Sequence, residues 1–317
     1  MGSPRRMKAT RDAFGEALVE LGAECENLIV VDADDSLATR TIGFAEHFPE
    51  RFINVGAAEQ NMVGVAAGLA IAGKVALIST HAIFLCGRAY EQIRNAVGYG
   101  NLNVKCVGSH GGITVGHDGP THFSFEDISL MRGIPGMTVI VPCDAVETKK
   151  ALRALLQHIG PAYLRLGRAP VPVVSKKSSR FEIGRGVVFG EGNDLAIMAC
   201  GLMVAKSLEA REALTAEGFK VTVANLHSVK PIDRDLIVRL ARRCQAIVVA
   251  EEHSIYGGLG SAVAEVTSAE FPVPIEFVGL RDTFAESGAP DDLLSAYGLE
   301  AADVVAASRK VLRRKLG

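Results

Sequence analysis

A chain of 317 residues, 48% hydrophobic and with a formal net charge of −2, has room for two sizeable cores and no electrostatic case for nucleic acid or an acidic membrane surface. No apolar run approaches the roughly 20 residues that span a bilayer. The opening Met-Gly-Ser-Pro-Arg-Arg is too short and polar for a signal peptide and reads as a remnant preceding Met7. Six cysteines (Cys25, Cys86, Cys106, Cys143, Cys200, Cys244) are scattered with no C-x-x-C pair, which reads as reduced thiols in a cytoplasmic protein and not as a zinc site.

Residues 11–23 have a helical period with Phe14, Leu18 and Leu21 on one face. The apolar run 27–32 follows, as expected for a buried parallel strand. The pattern then repeats: strand 52–55, helix 59–72, strand 75–80, helix 88–99 and strand 103–107. After a Gly- and His-rich loop come helix 125–133, strand 137–141, helix 144–158 and strand 162–166. Such alternation predicts a mostly parallel sheet with helices on both faces. Residues 168–180, rich in Pro, Ser and Lys, break the periodicity and read as a linker. A second α/β pattern has strands at 194–199, 220–224, 246–251 and 275–279 and helices at 204–217, 234–243, 259–270 and 300–314. The fold class expected is therefore α/β, with two doubly wound domains at 7–168 and 184–317 and a linker at 169–183. Gly257-Gly-Leu-Gly260 is a weak nucleotide motif whose commoner use is close helix–strand packing.

Two stretches concentrate polar chemistry. In Val55-Gly-Ala-Ala-Glu59-Gln-Asn-Met, a β-like run ends in glycine and Glu59 opens a helix of small apolar residues. Taken alone, Glu59 reads as a helix-capping acid. Its apolar flank also suits a carboxylate that hydrogen-bonds a heteroaromatic nitrogen. The second stretch, Gly108-Ser-His110-Gly-Gly-Ile-Thr-Val-Gly-His117-Asp118-Gly-Pro-Thr-His122, follows a strand, where open α/β sheets place ligands. Imidazoles there can bind hydroxyls or phosphate and move protons near neutrality. A metal site is a weaker reading, since the Gly-Pro break fixes no i, i+4 ligand pair.

With those residues quoted, the chain resembles the C-terminal half of a transketolase. The carriers are Ala58-Glu59-Gln60-Asn61-Met62, Ser79-Thr80 followed by Phe84, Gly116-His117-Asp118-Gly-Pro-Thr-His122, Pro142-Cys-Asp144, and Glu251-Glu-His253 before Gly257. The resemblance implies a pyrimidine-binding domain followed by a C-terminal domain, and dependence on thiamine diphosphate. It implies that Glu59 pairs with the pyrimidine nitrogen and promotes deprotonation of the thiazolium. Phe84, otherwise as readily a core aromatic, would stack on the pyrimidine, with His81 and Asp34 lining the same cleft. Asp118 and His122 would bind the hydroxyls of a ketose donor, and Arg11, His110 and Arg168 its phosphate. Taken singly, Arg11 reads as a solvated helix residue and Arg168 as a linker charge.

Two positions depart from the family. His81 stands where another aromatic is usual, and Ala38 where many members have a phosphate-contacting Ser. No Gly-Asp-Gly motif for Mg²⁺ and the cofactor diphosphate occurs. The resemblance therefore implies the smaller subunit of a split transketolase, with the Mg²⁺ ligands on a larger partner chain in a heterotetramer. Rival readings are a split deoxyxylulose-phosphate synthase-like enzyme, the β subunit of a 2-oxo acid dehydrogenase, which the Asp118–His122 loop fits poorly, and a silent scaffolding subunit.

Overall fold

Leu28–Asp32 opens with four consecutive Leu, Ile and Val residues, which leave both faces apolar, and it lies inside a sheet covered on both sides. In the computed structural model, which describes residues 6–316, this sheet has the strand order Phe52–Asn54, Leu28–Asp32, Val75–His81, Val104–Ser109, Ala162–Arg165, Thr138–Ile140. All six are parallel. Of the stretch before Met7 read as a remnant, residues 1–5 lie outside the described residues. A second sheet sets Ile275–Leu280, Ile247–Ser254, Leu195–Ala199 and Val221–Asn225 in parallel, closed by the antiparallel edge Val187–Phe189. The fold is α/β with two mostly parallel, doubly wound sheets.

Local chemistry accounts for the helix ends that matter here. Asp144 accepts hydrogen bonds from Val146 N and Glu147 N, both at 2.9 Å, and so caps Ala145–Gln157. Its second oxygen accepts from Val174 N at 2.7 Å and Ser175 N at 2.6 Å, which ties the Pro- and Ser-rich segment to that helix. The same segment carries a strand, Pro170–Pro172, paired antiparallel with Met7–Ala9. Helix Thr10–Glu24 buries Phe14, Leu18 and Leu21 against Ala151, Leu152 and Leu155, as its period predicts.

Three features differ from the periodic reading. Ser228–Lys230, from the second half of the chain, adds an antiparallel edge strand to the first sheet. The two halves also share one apolar core, in which Met62, Ile78 and Ile93 meet Met198, Leu236 and Val263. The helix expected at 88–99 begins earlier and is wider: Phe84–Arg88 and Ile93–Tyr99 are π-helical around a short α turn, Tyr90–Gln92. A 3.6-residue period cannot detect i→i+5 turns, which cluster at functional sites.

The six cysteines are free thiols. Burial pushes Cys106 up to about 12 and raises Cys86, Cys143 and Cys200 well above the usual thiol range. They are packing residues.

Candidate active site

The carboxyl ends of adjacent strands bring the polar residues together. Leu28–Asp32 leads into Asp34 and Asp35, Val75–His81 ends in His81, and Val104–Ser109 delivers His110. His81 and Ser109 are register partners on neighbouring strands. As a result the His81 and His110 rings lie 3.9 Å apart between centroids, inclined by 30°. His122 and Phe84 complete the group: Phe84 is 5.4 Å from His81 and 5.3 Å from His122.

His81 bonds the Asp35 carboxylate through Nδ1. Thr80 Oγ1 also donates to Asp35, at 3.4 Å. The neighbouring acids have other partners. Asp32 is buried and accepts from Thr39 and Thr41, and burial raises its pKa. Asp34, with a left-handed φ of 66°, is exposed and accepts from Asn54 Nδ2 at 3.0 Å. The acid that joins the histidine cluster is thus Asp35, one residue beyond the position expected from the sequence.

Arg11 Nη1 donates to His110 Nε2 at 2.9 Å and to the Ala38 carbonyl at 3.0 Å. A guanidinium has no acceptor, so His110 Nε2 accepts and its Nδ1–H donates to Ser109 Oγ at 2.8 Å. Burial pushes His110 down to about 2, with the charges of His81, Arg11, Arg168 and Arg40 acting in the same direction. Burial here works against an imidazole that carries a proton near neutrality. It is a neutral polar contact. Burial also lowers Arg11, reinforced by Arg40. Arg168 Nη1 donates to Val115 O at 2.9 Å and to Asp118 at 2.8 Å, which joins the linker to the histidine loop. His122, half-buried, bonds Thr121 Oγ1 at 3.0 Å through Nδ1. Ser287 Oγ donates to the His117 carbonyl at 2.7 Å, so a loop of the second half closes over this one.

Glu59 is 6% exposed at the first position of Glu59–Ile71, and no side-chain cap hydrogen bond is made at the preceding Ala58. Its Oε1 accepts from Arg88 Nη1 at 2.9 Å. The acid thus stands in the first turn of the helix, as the capping reading has it, and also makes a long-range pair. The Arg88 guanidinium lies 4.0 Å over the Phe84 ring, which connects Glu59 to the histidine cluster. Arg88, Asp35 and Ser109 went unread in the sequence. Asp35 had a signal, as one of three acids in four residues, but nothing local ranks it above Asp34. Among the described residues, no group of three or more His, Cys, Asp or Glu could hold a metal ion, and no helix is long and apolar enough to cross a membrane.

Residues 6–173 match the transketolase pyrimidine-binding domain, and residues 184–304 match the transketolase C-terminal domain. The chain belongs to the transketolase family. It is 42% identical over 305 residues to a 6-deoxy-6-sulfo-D-fructose transketolase subunit of Clostridium sp. (strain MSTE9), covering 96% of this chain and 95% of that one. It is 36% identical over 295 residues to one subunit of the apulose-4-phosphate transketolase of Phocaeicola vulgatus, covering 93% and 94%. Among solved structures it is similar to a split-gene transketolase described as an inactive β4 tetramer. The TM-score is 0.89 and the identity 51%, over 97% of this chain and 99% of that one. Transketolase membership implies dependence on thiamine diphosphate. The residues present suit its aminopyrimidine: a buried carboxylate and an aromatic face stand side by side and already hold a planar nitrogen cation.

The remaining glycine motif does different work in this transketolase chain. Glu251 accepts from Leu259 N and Gly260 N, both at 2.7 Å, and fills the helix N-terminus where a phosphate would sit. A Cβ at Gly260 would lie 2.6 Å from the Phe277 ring. Close packing is the role of these glycines.

Proposed function

We propose that the chain is the smaller subunit of a two-chain transketolase that transfers a two-carbon ketol unit from an anionic ketose to an aldose. The observation that carries this reading is the buried Glu59 carboxylate beside the Phe84 face, next to the cluster of His81, His110 and His122. Thiamine diphosphate, when bound, supplies the acidic thiazolium carbon that takes up the ketol unit. Glu59 would hydrogen-bond the ring nitrogen and hold the proton there, and Phe84 and His81 would wall the ring. Asp118 and His122 would bind donor hydroxyls. Arg11 and Arg168 would hold the terminal anion, with His110 as a neutral partner. Asp34 is kept as a rim residue of the cofactor cleft.

Ligands for Mg²⁺ and the diphosphate belong, in this reading, to a larger partner chain in a heterotetramer. Names of full-length relatives as transketolase subunits, and the split-gene description of the similar structure, support a partner. The division into a pyrimidine-binding domain at 7–168, a linker at 169–183 and a C-terminal domain at 184–317 is supported by the residues that the family domains match. Reduced, buried thiols suit a cytoplasmic enzyme. A silent scaffold would need neither Glu59 nor the Asp118 and His122 pair.

The related subunits are named for a sulfonated and for a phosphorylated sugar. Ala38 in place of a hydroxyl donor leaves room for either group. The test is to assay the purified chain alone and mixed with a larger transketolase subunit carrying the diphosphate-binding domain, against phosphorylated, sulfonated and neutral ketoses. Activity is expected only on mixing and highest with an anionic ketose. Full turnover by the chain alone overturns the reading.

A further inference from the structure

Arg88 stands outside every role assigned above, yet it touches both residues proposed to receive the aminopyrimidine. Its side chain is 57% exposed, while the carboxylate it reaches is buried. Phe84 and Arg88 are the first and last residues of one π-helical turn, which places guanidinium and ring on the same side. The main chain at Arg88 is anchored, since Gln60 Nε2 donates to its carbonyl at 3.2 Å. The guanidinium can therefore leave while the backbone stays.

A guanidinium and a 4-aminopyrimidine share the chemistry that this place selects. Both are planar, conjugated nitrogen systems that present an N–H to a carboxylate, the pyrimidine when its ring nitrogen carries the shared proton, and a flat face to an aromatic ring. A buried carboxylate without a donor is costly, so Glu59 must exchange one donor for another. We propose that Arg88 is an internal competitor for the cofactor's ring, occupying through Glu59 and Phe84 the contacts that the aminopyrimidine takes. The inference rests on the thiamine diphosphate reading. With the guanidinium itself more than half exposed, this part-buried ion pair and the cation–π contact are each modest, so the competition amounts to about 3- to 30-fold in affinity. Arg88 thereby weakens cofactor capture by the lone chain and leaves tight binding to the completed site.

Calorimetric titration with 4-amino-5-hydroxymethyl-2-methylpyrimidine, and separately with thiamine diphosphate and Mg²⁺, tests this on the full chain alone and mixed with the larger subunit. Arg88→Leu should tighten binding of the pyrimidine fragment by about 3- to 30-fold, by removing both contacts. Arg88→Lys, which keeps the charge but lacks the planar fork, should tighten it less. Thermal melts of both variants establish that the fold is intact. Unchanged or weaker fragment binding by both folded variants overturns the proposal, because a packing or ligand-holding arginine would behave so. If no form binds fragment or cofactor even when mixed, the thiamine reading fails and this inference with it. Normal binding and turnover by the mixed wild type, with no gain in the variants, overturns only the role of Arg88.

Discussion

The two sheets end in similar strand–loop–helix junctions, and they treat them in opposite ways. At the carboxyl edge of the first sheet, side chains from several elements converge around His81, Phe84, His110 and His122, and Arg11, Arg168 and Arg88 border them. At the corresponding edge of the second sheet, Glu251 occupies the N–H groups of Leu259 and Gly260, and Glu252 accepts from Thr114 N at 2.7 Å. Arg165, at the carboxyl end of a first-sheet strand, is bound to Asp127 at 2.8 Å and reaches across to the Glu252 carbonyl at 2.9 Å. One edge pairs its carboxylate and imidazoles mostly with side chains, Arg88, Asp35 and Arg11 among them; the other ties its carboxylates to backbone N–H groups. A helix N-terminus favours anions in either place. Whether it binds a ligand depends on whether the chain has already supplied the anion.

The contrast is sharpest at Glu59. Replacing it by Gln keeps the shape and removes the carboxylate, so kcat of the mixed enzyme at saturating cofactor should fall by about 10²–10⁴. A fall within about threefold would place Glu59 with the structural acids and erase the distinction between the edges.

Glu251→Gln should do the reverse. The amide cannot accept from both Leu259 N and Gly260 N as the carboxylate does. Losing charge-assisted bonds in a buried place should cost about 1–3 kcal/mol of stability, read in a denaturant melt, with KM and kcat of surviving enzyme unchanged. A selective rise in KM would show that the second edge also serves substrate.

At the rim, Arg168→Ala should raise KM for an anionic ketose at least about tenfold and barely change turnover of hydroxypyruvate, through loss of a charge-assisted contact. Because Arg168 also holds Asp118 and Val115 O, equal losses for both donors would mean that it only fastens the loop.

The smallest effect is expected at His110, whose folded pKa is pushed to about 2 by burial. The ordinary value is about 6.5, so the unfolded chain binds the proton first, and stability falls as pH drops below that point. This residue should contribute a loss of about 1 kcal/mol between pH 6.5 and 5.5. His110→Asn suits the left-handed φ of 58° and should remove that part of the acid sensitivity, measured by unfolding at both pH values. An unaltered pH slope would mean that His110 protonates in the folded chain.

Much of this architecture was legible because it is local. The apolar run at 27–32 and the periodic face of Phe14, Leu18 and Leu21 each announce an element within a few residues. The motifs around Glu59 and Asp118–His122 carried the family in the same way. Boundaries were less readable where the backbone leaves the common periods, as in the π turns flanking Tyr90–Gln92. The Ser228–Lys230 strand was unreadable for another reason: its partner, Thr138–Ile140, lies far back in the chain, and three residues carry no pattern that names it.

Sequence alone thus determined the alternating α/β order, the family and most of the polar groups that a cofactor and sugar would need, since residue type, spacing and capping act over one or two turns. Tertiary structure alone decided which groups meet. It set Arg88 on Glu59 and Phe84, chose Asp35 over Asp34 for His81, and buried His110 so that its neutral form is favoured. Those outcomes depend on contacts between residues 29 to 99 positions apart and on the low dielectric that packing creates, and neither is written in any short stretch of chain.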